Sequence, residues 1–437
     1  MLDLTSLVSL FVLGTIGWVT YKEPQIEWRK KYGDIIKYYE FFNQPALLIS
    51  DTSIIQEITS SNTYDYIKPP NFVTDLFAFV GNGLAFSEGD IHKKQRKMMN
   101  PAFTHSNIKS MIPSFTRMAS LLINLIEDKV NSGESNIALA PYISKATLDI
   151  IGLVGFNYEF NSLSSPNDLA NAYSSIVSSL TPLRYMIGRL ASYFPLIRKA
   201  EFDDLKGADL LSVLININKT FSIEERMTDD ELKNQIMTFL LAGHETTSIT
   251  TSWALYLLAQ HPHVQDLLRE ELVKAFPDKS NFNPTFDEIN SLELLNCVTK
   301  EVLRLHPPVG LIRRTNLKDK VFGNYLIPKN TQITLSILAL HKSPEIWGPT
   351  AAEFDPKRWL NPELTKNVSN ISYLPFNTGA RGCIGNKLAL NEIKVILGIL
   401  VRNFVFQTIE GTHIERKSFT SAKPTSDIEL TITKVES

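Results

Sequence analysis

One decapeptide limits what this chain can build more than any other feature. It reads Phe376-Asn377-Thr378-Gly379-Ala380-Arg381-Gly382-Cys383-Ile384-Gly385, and an apolar helical pattern follows from Leu388 to Val401. Glycines at every third position predict a tight loop, and the helix behind it sets one thiol near a helix start, where backbone N–H groups and the helix dipole favour a thiolate. A metal ligand needs that arrangement. An isolated cysteine is more often a buried, inert thiol, but the spacing of Phe, Gly, Arg, Cys and Gly sets this one apart. The only other cysteine is Cys297, so a disulfide framework is not expected and a reducing compartment is.

Composition removes some partners. With 44 Lys and Arg against 46 Asp and Glu, the net charge is -2, which offers no field to attract nucleic acid. The N-terminus suggests a different surface. Leu4 to Tyr21 carries no charged residue, and as a helix it would rise about 27 Å, close to the ~30 Å of a bilayer's hydrocarbon core. Trp18 and Tyr21 stand where an interfacial belt would lie, and Lys22, Arg29, Lys30 and Lys31 put the positive flank on the cytosolic side. Residues 1–22 are therefore expected to be a single-pass membrane anchor, with residues 23–437 as one body facing the cytosol. Asp3 and the bulky end of the apolar run disfavour a cleaved signal peptide.

The body reads as mainly α with a small β portion. A short helix is expected from Gln25 to Tyr32, then two strands, Ile35 to Tyr39 and Ala46 to Ile49, around Asn43-Gln44-Pro45. Helical periodicity then marks Ser106 to Val130, Ser144 to Gly155 and Asn171 to Tyr193. Thr228 with Glu231 is a capping-box start, and the pattern runs from there to Gln260, where His261-Pro262 stops it. Within that helix Ala242-Gly243 and Thr246-Thr247-Ser248 predict a close approach or a distortion. Further helices are expected at Val264 to Phe276 and Glu293 to Leu305, and a strand pair from Val321 to Ser336 turned at Gly323-Asn324. From Ser343 to Gly379 there is little periodicity.

The decapeptide matches F-x-x-G-x-R-x-C-x-G in full, and from roughly Trp28 to the C-terminus the chain resembles the cytochrome P450 family, whose heme-binding signature this is. The resemblance implies a P450 fold with heme b (iron protoporphyrin IX) between a long distal helix and the cysteine-loop helix. It makes Cys383 the iron ligand, pairs Arg381 with a heme propionate, packs Phe376 beside the sulfur, and has Gly379 and Gly385 permit the tight turns. Glu301-Val302-Leu303-Arg304 looks like the family's E-x-x-R motif, and Phe354-Asp355-Pro356-Lys357-Arg358-Trp359 like the segment that completes a Glu301, Arg304 and Arg358 charge triad. Alone, a Glu three residues before an Arg recurs by chance and is usually a solvated helix pair. Order along the chain gives it meaning.

Ala242-Gly243-His244-Glu245-Thr246-Thr247 resembles the family's distal helix motif. Small Ala242 and Gly243 would leave room for O2, the Thr246 hydroxyl can give and take hydrogen bonds, and Glu245 can relay protons. His244 has no partner at the position Ser248 occupies, which sets aside an H-E-x-x-H zinc site. Gly89 to Lys97 looks like the family's third helix with His92 where most members carry Trp. By that resemblance His92 and Arg96 are propionate partners; Lys93, Lys94 and Lys97 are expected to face outward, either as a patch for an acidic flavoprotein donor or as a solvated face.

The implied activity is NADPH-driven monooxygenation of a lipophilic substrate. Electrons would come through NADPH-cytochrome P450 reductase, with cytochrome b5 as a further donor, at the endoplasmic reticulum membrane. By the resemblance, the segments that line the family's pocket hold Phe72, Phe77, Phe79, Val80, Phe239, Val309, Leu311 and Phe419, an apolar and aromatic set that suits a lipophilic substrate and that ordinary core packing explains equally well. Two features depart from the family: only Lys22-Glu23-Pro24 links the apolar run to the body, and the middle is short near residues 161–209. Rival readings on the same fold are therefore a heme-binding but inactive shortened form and a peroxide-rearranging enzyme.

Overall fold

The computed structural model describes residues 24–40, 43–69, 81–165, 227–278, 282–418 and 421–435. The apolar run at Leu4 to Tyr21, the helical pattern at Asn171 to Tyr193, most of the short middle, and Phe72 to Val80 and Phe419 lie outside these residues. The longer helices are α1 (Pro24–Tyr32), α2 (Gly89–Met99), α3 (His105–Asn131), α4 (Leu139–Phe156), α5 (Asp229–Gln260), α6 (Pro262–Ala275), α7 (Glu293–Leu305) and α8 (Asn386–Asn403). The strands are β1 (Ile35–Glu40), β2 (Gln44–Ile49), β3 (Tyr66–Ile67), β4 (Asn136–Ala138), β5 (Leu311–Asn316), β6 (Lys320–Phe322), β7 (Tyr325–Ile327), β8 (Gln332–Ser336), β9 (Phe404–Thr408), β10 (Arg416–Ser418), β11 (Ala422–Pro424) and β12 (Glu429–Lys434). They fall into two compact units.

The first unit comprises the described residues within Met1–Ile67, Cys297–Cys383 and Glu410–Ile428. Its main sheet has the order β1-β2-β8-β5-β3, with β2 and β8 parallel and the other pairs antiparallel. Val321 to Ser336, read from the sequence as one strand pair, is instead a short hairpin of β6 and β7 plus a separate strand, β8. The turn at Gly323 is present, with φ +57°. What diverts the chain is the Pro328 to Asn330 corner, where Asn330 is left-handed at φ 66°. There Asn316 Nδ2 donates to the Pro328 carbonyl at 2.8 Å and Asn316 Oδ1 accepts from Thr331 N at 2.8 Å. Leu47, Ile49, Ile55, Ile58, Ile333 and Leu335 pack in this unit's core.

The second unit comprises the described residues within Lys68–Asn296, Ile384–Ile409 and Glu429–Ser437. It is a helix stack, with α5 packed on α4 and α8, α3 on α4 and α8, and a β4-β12-β9 sheet at its margin. α5 starts at the capping box: Glu231 N donates to Thr228 Oγ1 at 3.2 Å and Thr228 N to Glu231 Oε2 at 2.8 Å. Thr247 to Ala259 is then buried without a break. The helix is continuous through its run of hydroxyl residues, whose threonines satisfy their side chains on the carbonyl four residues back: Thr246 to Ala242 (2.7 Å), Thr247 to Gly243 (2.5 Å), Thr250 to Thr246 (2.8 Å) and Thr251 to Thr247 (2.9 Å). The close approach is there too. A Cβ on Gly243 would come within 2.8 Å of Ile151 Cδ1 on α4. Among the described residues α4 alone is long and apolar enough to cross a membrane, but more than half of it is buried here, as befits a core helix.

Candidate functional site

In the first unit the cysteine loop is a short turn of 3-10 helix at Gly379–Arg381. Its base is closed by Cys383 N donating to the Phe376 carbonyl at 2.8 Å. Gly379 has φ +68°, and a Cβ there would collide with the Thr59 carbonyl, so both conformation and space demand glycine. Gly385 does not behave the same way. It stands in the turn that leads into α8, at φ -88°, a conformation open to any residue, so the turn there does not depend on glycine's backbone freedom. The Cys383 side chain is exposed whereas Cys297 is buried. The Arg381 guanidinium lies 5.3 Å from the centre of the Tyr64 ring, and Phe376 is half-buried.

The same unit gathers Glu301, Arg304 and Arg358, each fully buried. Glu301 takes a two-pronged bond from Arg304, Oε1 from Nη2 at 2.7 Å and Oε2 from Nε at 2.9 Å, and a longer one from Arg358 Nε at 3.4 Å. Trp359 Nε1 and the Asp355 N–H complete its shell at 3.0 and 3.1 Å. The arginines then spend their remaining donors on the irregular stretch, Arg304 on the carbonyls of His341, Ala351 and Glu353, and Arg358 on those of Trp347 and Thr350. A segment without periodicity of its own is thus held by two guanidinium groups.

His341, which the sequence did not single out, ties that network to the cysteine side of the chain. It is fully buried, with Nδ1 3.1 Å from the Arg304 carbonyl and Nε2 accepting from Leu374 N at 2.8 Å. Nδ1 must then carry the proton. Burial pushes its pKa down to about 3, and burial lowers that of His306 as well. A histidine held neutral in the fold but free to charge when unfolded stabilises above its ordinary value of 6.5, and that contribution is lost as the pH falls toward 3. Urea midpoints should therefore fall between pH 7 and 5, by up to about 1.4 kcal/mol per pH unit for each such histidine once below 6.5. A flat profile over that range contradicts the assignment.

In the second unit, Ala242 is exposed on α5, Glu245 and Thr246 are half-buried, and His244 and Thr247 are buried. Ala242 and Thr246, one turn apart, share the face turned away from α4. The Thr246 hydroxyl donates to the Ala242 carbonyl, which leaves its oxygen as an acceptor. On α2, His92 is buried and Arg96 is half-buried, with Arg96 Nε donating to Asn100 Oδ1 at 3.1 Å. Lys93 and Lys97 are exposed and Lys94 is half-buried.

Glu392 was also missed. It is fully buried on α8, with Oε1 3.4 Å from Thr247 Oγ1, and burial raises its pKa well above the carboxylate range. The signal was a carboxylate within the apolar ladder Leu388, Glu392, Ile396, Leu400. A folded state that keeps this proton is penalised above pH 4.5, where the unfolded chain releases it. Glu392→Gln should raise the thermal midpoint at pH 7.5 by roughly 2 °C or more, and the gain should vanish below pH 4.5. Loss of stability at pH 7.5 would show the carboxylate to be ionised.

Comparison with known proteins completes the assignment. The family model for cytochrome P450 matches residues 6–201 and 196–432. Cytochrome P450 monooxygenase 128 of Postia placenta is 33% identical over 463 residues, which take in 91% of this chain and 83% of the relative. Cytochrome P450 monooxygenase sphH of Aspergillus fumigatus is 32% identical over 428 residues, covering 87% of this chain and 78% of its own. Ganoderic acid synthetase CYP5150L8 of Ganoderma lucidum is 29% identical over 476 residues, covering 91% and 86%. The chain belongs to the cytochrome P450 family, and it is an enzyme of that family's monooxygenase class with fungal relatives. The first alignment, at 463 residues, is longer than the 437-residue chain, so the relative carries stretches with no counterpart here.

Proposed function

We propose that residues 23–437 form a heme-thiolate monooxygenase that inserts one atom of O2 into a lipophilic substrate, with NADPH electrons delivered by NADPH-cytochrome P450 reductase or cytochrome b5. The observation that carries this reading is the exposed Cys383 thiol at the end of a loop whose Gly379 position only glycine can fill. The donor set supports heme. Among the described residues no three His, Cys, Asp or Glu side chains cluster as a metal site, and a single thiolate suits an iron that brings its other ligands on a porphyrin. When bound, heme with a Cys thiolate supplies O–O cleavage.

The protein's own part is positioning and proton supply. Cys383 holds the group through sulfur, Phe376 packs beside that sulfur, and Gly379 with Gly385 shapes the loop. Arg381, Arg96 and His92 neutralise the propionates. Ala242 leaves room on α5 for a small molecule. Thr246 Oγ1, its proton given to the Ala242 carbonyl, accepts a hydrogen bond from an ordered water, and Glu245 passes protons to that water from solvent. Thr246→Ala should keep heme and NADPH consumption yet lower product formed from lipophilic compounds by about 10²-fold or more, with electrons diverted to hydrogen peroxide. Undiminished product would remove Thr246 from the proton path.

We assign Leu4 to Tyr21 as a single-pass anchor in the endoplasmic reticulum membrane, with the body in the cytosol. The acceptor pattern Asn367-Val368-Ser369 should then stay unglycosylated, although Asn367 is exposed. Sugar on it would reverse the topology. A second reading has one observation in its favour: the family model matches in two pieces that meet at residues 196–201, and the relative carries unmatched stretches. A shortened form that binds heme but does not turn over would consume no NADPH in the presence of reductase.

A further inference from the structure

We propose that His244, through Ser144 and Thr147 on α4, is the positioning residue that sets the rotation and height of the Ala242–Thr246 turn of α5. The inference rests on the monooxygenase reading above. His244 is buried, and its Nε2 lies 2.7 Å from Ser144 Oγ. The backbone of the same residue is within reach as well, since Thr147 Oγ1 shares its one proton between the His244 carbonyl and the Ser144 carbonyl, each at 3.1 Å. One residue is therefore fastened by both its side chain and its main chain to a neighbouring helix.

The attachment lies on a single stripe. Ser144, Thr147 and Ile151 stand at i, i+3 and i+7 on α4, the spacing of one helix face, and Ile151 closes against Gly243, where a Cβ would approach to 2.8 Å. Gly243 lets α4 come close enough for the two hydroxyls to reach His244. With about 100° of rotation per residue, Ala242 and Thr246 each lie roughly 160° from His244, on the opposite face. A slip at His244 moves Thr246 by a similar arc. One residue further, Thr247 Oγ1 lies 3.4 Å from Glu392 Oε1, so α8 stands against the turn on another side.

Hydrogen exchange and imidazole binding test this in the full chain. Ser144→Ala and His244→Leu remove the pin. His244→Gln can still place a side-chain nitrogen near Ser144. Peptides covering Leu240 to Ser248 should exchange about tenfold faster or more in Ser144→Ala and His244→Leu, with α6 peptides unchanged and His244→Gln close to the parent. With heme loaded, the spectral affinity for imidazole should weaken about fivefold or more in the same two variants, because a loosened turn must be reordered around the ligand, and His244→Gln should restore it. If Ser144→Ala exchanges and binds as the parent does, or if His244→Gln is as impaired as His244→Leu, the pin is refuted. Should His244→Leu fail to fold, Ser144→Ala alone decides. A chain that takes up no heme defeats the monooxygenase reading, while exchange still judges the pin.

Discussion

Glu301→Ala is expected to unfold the first unit under conditions where the parent chain is fully folded. The carboxylate is fully buried and takes hydrogen bonds from Arg304, Arg358, Trp359 and the Asp355 N–H. Removing it strands two guanidinium groups with no counter-charge. Breaking a buried pair from one side costs about 3–5 kcal/mol, a large share of the ~5–15 kcal/mol that holds a typical domain together. The loss does not stay local, because the same guanidinium groups hold the carbonyls of residues 341, 347, 350, 351 and 353. Chemical denaturation at neutral pH should show a midpoint far below the parent's. Glu301→Gln, which keeps the shape and loses the charge, should fall between the two. A midpoint for Glu301→Ala within about 1 kcal/mol of the parent would mean that the triad is an ornament of packing.

Cys383→Ser should abolish turnover, by at least about 10³-fold, equivalent to roughly 4 kcal/mol at the transition state, while leaving the fold intact. The side chain is exposed, so exchanging sulfur for oxygen disturbs little packing. The loop around it is set by Gly379 and by the Cys383 N–H to Phe376 carbonyl bond, and neither involves the sulfur. Melting of the protein without added heme should therefore match the parent within about 1 °C. Turnover retained in this variant would show that another residue holds the iron.

What the sequence made legible was local. The capping box at Thr228 and Glu231 announces α5, and the polar stop at His261-Pro262 ends it, because both act through neighbouring backbone groups. The cysteine loop was legible for the same reason, its spacing being a short-range constraint, and the 301–304 pair needed only one helical turn to meet. Long-range pairings were not. β8 is inserted between β2 and β5, and β2 is some 285 residues away in sequence, a partner that alternation alone cannot name. His244 illustrates the limit most clearly. Its neighbours in the sequence suggested only a failed zinc motif, whereas its partner Ser144 lies 100 residues upstream on α4. Glu392 betrayed itself by breaking an apolar ladder, but only burial shows that its proton is retained. The turn at Gly385 is present, but that it needs no positive φ was not legible, because φ is not written in a motif.

The central claim is tested most directly by heme content together with the reduced carbon-monoxide difference spectrum of the expressed full chain. One heme per chain with a thiolate-type Soret band, lost in Cys383→Ser, is the predicted result. Protein that folds but binds no heme, or that binds it with a spectrum unchanged by Cys383→Ser, contradicts the account.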